Sequence, residues 1–585
     1  MRKKKNALGY TYLAPALISI LLVTCLPIIY TVILSFTNYN MYHLTDYTFV
    51  GLENYLTVFS GSIKNVFFPV LGWTICFALL STAGSYAMGL ILAILLNNPH
   101  MKESKIYRAV LIVPWALPST IAILAWQGLL NEQYGGINNL LHTIGIAWNV
   151  PWLTNPFWAR VGLIIVNVWL GFPYMMNVCL GGLQAISGEY YEAAKMDGAS
   201  KFQCFKSITL PMVTKLSIPL VISSFAANFN NFGNIYMITQ GGPARVDNQF
   251  AGYTDILAST TYKMTTWSNR YELSATFSVL IFIIVGTFTL INMRLSGSFK
   301  EVDQMKNKKK ISASEQRTLW GSRVVIWITM IVVLFPVIWI VMSSFSAGDS
   351  FFLSSLFPEK FSIEHYVELF RETDFGIWVF NSLKFCFIVA IIQLVLTSLA
   401  AYAFARLRFV GRKYGLMALL ILQVFPNSMA VAGYYILIYK FGLVDNSFAL
   451  ILVLAGGSAY NIWLLKSYID GLPVELDEAA MVDGANEFQV FYKIIIPLAM
   501  PQLAVIFLFS FIATYSEYVI TSIFLQTPGK MTLALGLQSF ISDQFAAHWT
   551  LFAAAAVISS LPIMIIFMCL QRFIQNGLVA GGVKG

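Results

Sequence analysis

Long apolar runs separated by short polar breaks dominate the chain from end to end. Runs near residues 12–36, 66–97, 106–130, 158–183, 211–240 and 273–295 are followed by a second six near 320–345, 378–405, 412–440, 446–468, 498–526 and 547–573. A hydrocarbon layer about 30 Å thick takes roughly 20 helical residues to cross, and each run is of that order. The ten-residue alternation of apolar and polar positions that marks a membrane barrel is not seen. The pattern predicts an all-α membrane protein of two six-helix halves, about 12 transmembrane helices in all.

Composition agrees with the pattern. The chain is 57% hydrophobic and only 11% charged, with a mean hydropathy of +0.69, outside the range of soluble domains. A net charge of +9 suits nucleic acid in principle, but the basic residues cluster at the ends of apolar runs, where membrane topology places them. Nucleic acid is therefore not an expected partner; membrane lipid is. The six cysteines are scattered with no CxxC pair or His cluster, so no metal site is expected. The opening "MRKKKNALGYTYLAPALISILLVTCLPIIYTVILSF" carries an apolar stretch too long for a signal-peptide core and reads as a retained first anchor.

Lysine and arginine in the short loops set the orientation. Arg2 to Lys5, then Lys102, Lys105 and Arg108, then Arg294 and Lys300 flank the first half, and Arg406, Arg408, Arg412 and Lys413 repeat the pattern in the second, whereas the stretch 131–155 is nearly free of them. Both halves thus begin and end in the cytoplasm, with the N- and C-termini on the cytoplasmic side of the membrane. Residues 1–297 and 319–585 are the expected halves. Between them, 298–318 lies in the polar, lysine-rich "SFKEVDQMKNKKKISASEQRTLW", a linker whose "MKNKKK" reads like a second N-terminus; a natural fusion and two joined subunits both fit.

One polar segment occurs twice. "EYYEAAKMDGASKFQCFKSITLP" at 189–211 and "ELDEAAMVDGANEFQVFYKIIIP" at 475–497 superimpose with an offset of 286. The offset carries Glu192, Ala193, Ala194 and Gly198 onto Glu478, Ala479, Ala480 and Gly484. Each copy reads as a short helix opened by Ser187 as N-cap or Pro473 in the first turn, with acids at the positive end of its dipole. Gly198 or Gly484 then ends it in left-handed geometry. A second amphipathic helix carrying Phe202 and Phe205, or Phe488 and Phe491, follows until Pro211 or Pro497 starts the next span. The product is a helix-turn-helix lying across the cytoplasmic membrane surface, suited to a partner.

This motif resembles the EAA loop of ABC importer permeases. The resemblance implies a type I ABC importer transmembrane fold in which each loop docks on a cytoplasmic ATP-binding subunit, with Glu192 and Glu478 as the coupling glutamates. Further stretches narrow the family. "NVWLGFPYMMNVCLGGL", "NFNNFGNIYMITQGGP" and "AGYTDILAS" make the first half similar to the first membrane subunit of maltose and maltodextrin importers. "AAYAFARLRFVGRK", "TLALGLQSF" and "NGLVAGGVKG" make the second half similar to the second. The implied function is uptake of an oligosaccharide, maltose or maltodextrin, handed over by an extracytoplasmic binding protein; an importer for galacto-oligosaccharides is the alternative within the class.

Asn167, Asn228, Asn230 and Asn231 lie in or beside apolar runs, where an unpaired amide is costly. Two readings remain open: they bond one another across helices, or they face a cavity with Trp115 and Tyr174, suited to a sugar. The resemblance places sugar contacts on Trp115, Ser119, Asn167, Leu170, Gly171, Tyr174, Ser224, Asn228 and Asn231. Trp115 stands where tyrosine is familiar and Ala227 where an aromatic is familiar.

No GxxxxGK[ST] loop is present, and "LQTPGKMT" at 525–532 has Phe524 in place of the first glycine. The chain is therefore expected to be no enzyme, with no catalytic residues and no cofactor of its own, while two copies of a partner ATPase use the ATP. An ion-coupled sugar symporter is the main rival, but such proteins carry intramembrane carboxylates, and here Glu517 and Glu272 are the near exceptions. An intramembrane enzyme needs clustered nucleophilic or ionisable groups at one depth; His43, His100, His142, His365 and His548 sit in loops or at span ends.

Overall fold

A computed structural model of the chain describes residues 2–98, 100–133, 135–295, 313–347, 358, 360–422, 431–456, 458–541 and 548–582. Among them all regular structure is helical, and β-pairing is limited to isolated bridges such as Thr37 with Phe49. Eight helices are long and apolar enough to cross a membrane, and three bent helix pairs raise the count to 11. The remaining expected span, 412–440, contains Arg412–Leu422 and Val431–Lys440 with 423–430 outside the described residues. Most of the expected linker, 298–312, also lies outside them, and its last residues, 313–318, form the first turns of the helix Ala313–Ser344.

The bends have local causes. Ser104–Trp115 and Ser119–Leu129 meet at 83° where Leu117 is extended at ψ 145°, the conformation that the ring of Pro118 imposes on its predecessor. Trp115 and Ser119 thus flank an elbow. Glu487–Leu498 and Met500–Tyr515 meet at 77°, whereas their counterpart Phe202–Phe229 runs unbroken. Pro501, lacking the N–H for a carbonyl four residues back, stands where the first half has Lys215.

Two expected spans end early. The run 211–240 breaks after Phe229, and Asn231 caps a new helix, Phe232–Thr239, by accepting the Asn234 N–H. The run 498–526 breaks after Tyr515, and Val519–Phe524 follows. Hydropathy alone missed both breaks, along with the helix Leu257–Thr266. That helix is buried on most sides and anchored by Asp255, whose carboxylate receives Lys263 Nζ at 2.6 Å, Ser259 Oγ at 2.7 Å and the Gly252 N–H at 2.7 Å.

The two halves are interleaved. Arg2–Ser19, the first helix of the first half, packs on Phe375–Arg406 of the second. Tyr12, Leu13, Ala16 and Ile20 share one core with Ala400, Ala401, Tyr402 and Phe491. Reciprocally, Leu319, Ile326 and Val333 of Ala313–Ser344 sit in a core with Leu90, Leu111 and Phe172 of the first half. The Arg323 guanidinium donates to both carboxylate oxygens of Glu103 at 3.2 and 3.1 Å, and Trp327 Nε1 donates to the Tyr107 hydroxyl at 2.9 Å. A backbone hydrogen bond and then Arg323 hold the Glu103 carboxyl below the ordinary carboxylate range. This clamp is therefore complete at neutral pH and is lost as pH falls through that lowered value.

Lipid tails are as apolar as leucine, so close approach and hydrogen bonds rather than water exclusion drive helices together. Gly89 shows the consequence. A Cβ there falls 2.6 Å from Met176 N and 2.7 Å from Met175 C, so Lys64–Leu96 and Pro156–Ala185 touch backbone to backbone. Gly89→Leu is expected to lower stability by about 1–3 kcal/mol through overpacking. Gly72→Ala on the same helix, with open space around it, serves as the control and leaves the melting temperature in detergent unchanged or slightly raised.

Candidate functional site

The two copies of the repeated segment fold alike. Gly188–Met196 and Glu475–Val482 form the first helices. Each ends in a glycine turn, with Gly198 at φ +79° and Gly484 at φ +88°, a region an L side chain enters only with strain. The Ala199 N–H donates to Ala194 O and the Ala485 N–H to Ala480 O, both at 2.9 Å, the six-to-one bond of a Schellman cap.

A capping box starts each second helix, a feature not drawn from the sequence although the Ser/Asn-x-x-Gln spacing carries it. In the first copy Ser200 N donates to Gln203 Oε1 at 2.7 Å and Gln203 N to Ser200 Oγ at 3.3 Å. In the second, Asn486 N donates to Gln489 Oε1 at 2.8 Å and Gln489 N to Asn486 Oδ1 at 2.9 Å. Two expected boundaries change. Pro473 precedes the N-cap Val474 and so lies before the first turn. The second helices do not stop at Pro211 and Pro497; they run into the following span through π-turns at Phe205–Thr209 and Phe491–Ile495, whose wider spacing accommodates the proline ring.

The loops present matching exposed groups. Glu192 and Ala193, and Glu478 and Ala479, lie exposed, with Ala194 and Ala480 half-buried beneath. Beside them Met196 is 88% exposed and its equivalent Val482 87%, while Phe202 and Phe488 are exposed at 71% and 61%. The two loops thus carry matching exposed apolar side chains, of the kind found at interaction surfaces.

The loops are pinned differently underneath. Tyr191 in the first copy shares a hydrogen bond with Thr209 at 2.9 Å. The equivalent position in the second copy is Asp477, buried, which receives Arg406 Nε at 2.5 Å; the same guanidinium donates to Leu472 O at 2.9 Å. Tyr402 donates to the Glu487 carboxylate at 3.1 Å, and Tyr12 from the opposite half packs edge-on against Phe491.

The intramembrane asparagines close on one another. Asn167 Nδ2 donates to Asn228 Oδ1 at 2.9 Å, and Asn228 Nδ2 to Thr82 Oγ1 at 2.9 Å. Asn167 Oδ1 in turn accepts from Asn231 Nδ2 at 2.8 Å and Asn234 Nδ2 at 2.5 Å. Asn230 stands apart, its amide donating to Ala226 O at 3.3 Å. Of the two open readings, interhelical pairing is the arrangement this structure contains. Asn234 and Thr82 were missed, although Asn234 lies one helical turn beyond Asn231.

The remaining residues of the expected sugar site make no hydrogen bond to this cluster among the described residues. Gly171 lies against Ser85, whose Oγ is 2.6 Å from where a Cβ would stand, and Leu170 packs on the neighbouring core. Tyr174 and Ser224 are half-buried, and Trp115 and Ser119 are exposed at their elbow. Among the described residues no hydrogen bond joins Trp115, Ser119, Tyr174 or Ser224 to the asparagines.

The chain is similar to several known proteins. The chain is 39% identical over 302 residues to a galactooligosaccharides transport system permease protein of Bacillus subtilis, GanP, covering 50% of this chain and 71% of that one. It is 36% identical over 308 residues to the maltodextrin transport system permease protein MdxF of the same organism, covering 51% and 70%. To the maltose/maltodextrin transport system permease protein MalF of Klebsiella aerogenes it is 43% identical over 251 residues, covering 42% and 48%. Residues 56–297 and 311–579 each match the family described as binding-protein-dependent transport system inner membrane component. With that domain present twice and helices fit to span a bilayer in both copies, the chain belongs to the family of inner-membrane permease components of binding-protein-dependent transport systems.

Proposed function

We propose that this chain supplies both membrane halves of an ATP-driven oligosaccharide importer, with two ATPase subunits gripping the repeated loops and an external binding protein delivering the sugar. The observation that carries the reading is the pair of equally capped loops, each offering an exposed glutamate and two exposed apolar side chains at equivalent positions. Closure of an ATPase dimer draws two such handles together, and interleaved halves transmit the motion because neither can move without the first helix of the other. Both termini and both loops face the cytoplasm in this reading, as the loop charges require.

The substrates named for the relatives, maltodextrins and galactooligosaccharides, make an oligosaccharide the best-supported cargo, with maltose and maltodextrin first. Trp115, Ser119, Asn167, Leu170, Gly171, Tyr174, Ser224, Asn228 and Asn231 are the proposed contacts in the first half. Opening the asparagine cluster frees amides that bond hydroxyl groups, and each interhelical amide bond lost costs only about 0.6–2 kcal/mol. The test is uptake into proteoliposomes holding the chain with its ATPase, with binding protein added outside and a panel of α- and β-linked oligosaccharides. Uptake that needs ATP and survives collapse of ion gradients supports the reading; uptake that follows the ion gradient instead overturns it.

A further inference from the structure

The offset of 286 that superimposes the loops continues into the next span. It takes Asn228 to Thr514 and Asn231 to Glu517, so the second half holds a carboxylate where the first holds an amide. Both positions adjoin a helix break, after Phe229 in one half and Tyr515 in the other. In the first half the space is filled by asparagines bonding one another. In the second half a cavity of about 480 Å³ lies at this place, within the size range of small-molecule sites.

The polar groups around the cavity have capacity to spare. The two Glu517 carboxylate oxygens accept the backbone N–H groups of Ile520 and Thr521 at 2.8 Å, with the Val519 N–H and the Thr521 hydroxyl also close to the carboxylate. No ion pair to Glu517 exists among the described residues. Ser510 is only 4% exposed, lines the cavity and has an Oγ with no partner among the described residues. A buried hydroxyl without a protein partner is available to bond a polar group that enters the cavity. Asn461, 7% exposed, and Tyr460 also line the cavity. Val453, Leu454 and Ile520 supply apolar surface.

We propose that this cavity is a second saccharide-binding site, built by the second half and capped by Val23 and Thr24 of the first half's N-terminal helix. The assignment rests on the oligosaccharide reading above. A sugar ring presents hydroxyl donors that suit Glu517, hydroxyl acceptors that suit Asn461 and Ser510, and an apolar face that suits Tyr460 and the aliphatic wall. A metal ion fits poorly: hard cations take about six or more oxygen ligands, and the described residues contain no group of three acidic, His or Cys side chains able to hold one.

The test is direct binding of maltotriose and of a β-linked galactotriose to the purified chain in lipid nanodiscs by calorimetry. Wild type shows two classes of site. Asn461→Ala and Glu517→Gln each weaken one class at least about tenfold, a loss of about 1.4 kcal/mol, while Asn228→Ala weakens only the other. Ala513→Phe, which fills the cavity without replacing the carboxylate or the amide, abolishes the same class and guards against a capping defect in Glu517→Gln. A single class of site that Asn461→Ala, Glu517→Gln and Ala513→Phe all leave intact overturns the proposal. So does radioactive sodium binding that Glu517→Gln removes while saccharide binding stays. If sugar uptake persists in either case, the importer reading stands and only the second site falls. If wild type neither binds nor transports any sugar of the panel, the importer reading falls first.

Discussion

Replacing Glu192 and Glu478 together with alanine is expected to abolish ATP-driven uptake while leaving insertion, melting temperature and sugar binding unchanged. Both side chains are exposed and sit on short capped helices, where alanine is the best helix former and offsets the dipole interaction that Glu478 loses in the first turn, so the fold changes little. Under the proposed coupling role, what is lost is one charge of a pair with the partner ATPase, and truncating one member of a desolvated charge pair costs about 2–5 kcal/mol of binding at each loop. Either single variant keeps one grip and retains partial uptake. Replacing the neighbouring apolar side chains, Met196→Ser with Val482→Ser, weakens docking by the same route without altering charge. Co-purification of the ATPase with each variant reads docking directly. Undiminished uptake by the double glutamate variant removes the coupling assignment.

Arg406→Ala is expected to disable the second loop alone. Arg406 and Asp477 are 9% and 6% exposed, and removing the guanidinium strands a buried carboxylate whose Oδ1 already lacks a partner. Leaving one member of a buried pair uncompensated costs about 3–5 kcal/mol. Leu472 O loses its donor as well, so the turn before Glu475–Val482 loosens. The variant should show faster proteolysis within 473–486, a lowered melting temperature and a loop near Gly484 that no longer retains the ATPase, while the first loop, pinned by Tyr191 and Thr209, docks normally. Arg406→Met with Asp477→Leu restores most of the stability, because replacing both partners by apolar groups of similar volume is often neutral. If Arg406→Ala melts and docks like wild type, the ion pair does not hold this loop.

The candidate site was legible in the sequence to unequal degrees. The loops could be read almost residue by residue apart from their capping boxes, since glycine turns and exposed acids act over a few positions and their chemistry is local. Their attachment could not: nothing near Asp477 announces that its partner is Arg406, 71 residues earlier. The asparagines were visible as polar residues in apolar surroundings, yet their hydropathy was averaged into the run 211–240, which hid the helix break they create. Glu517 was noticed as a stray intramembrane carboxylate. That it borders a cavity became visible only once Ser510, Asn461 and Val23, from three separate helices, stood around it.

The amino-acid sequence by itself determined that the chain is helical and membrane-spanning, that it carries one domain twice and that its two charged loops have the same build. These follow from the length of apolar runs and from chemistry within a turn or two. The tertiary structure alone decided which helix touches which. In lipid an apolar helix face has no preferred partner, so the choice falls to small residues such as Gly89 and to hydrogen bonds between distant positions. That is why the exchange of first helices between the halves, the closed asparagine cluster and the open cavity beside Glu517 became known only from the assembled fold.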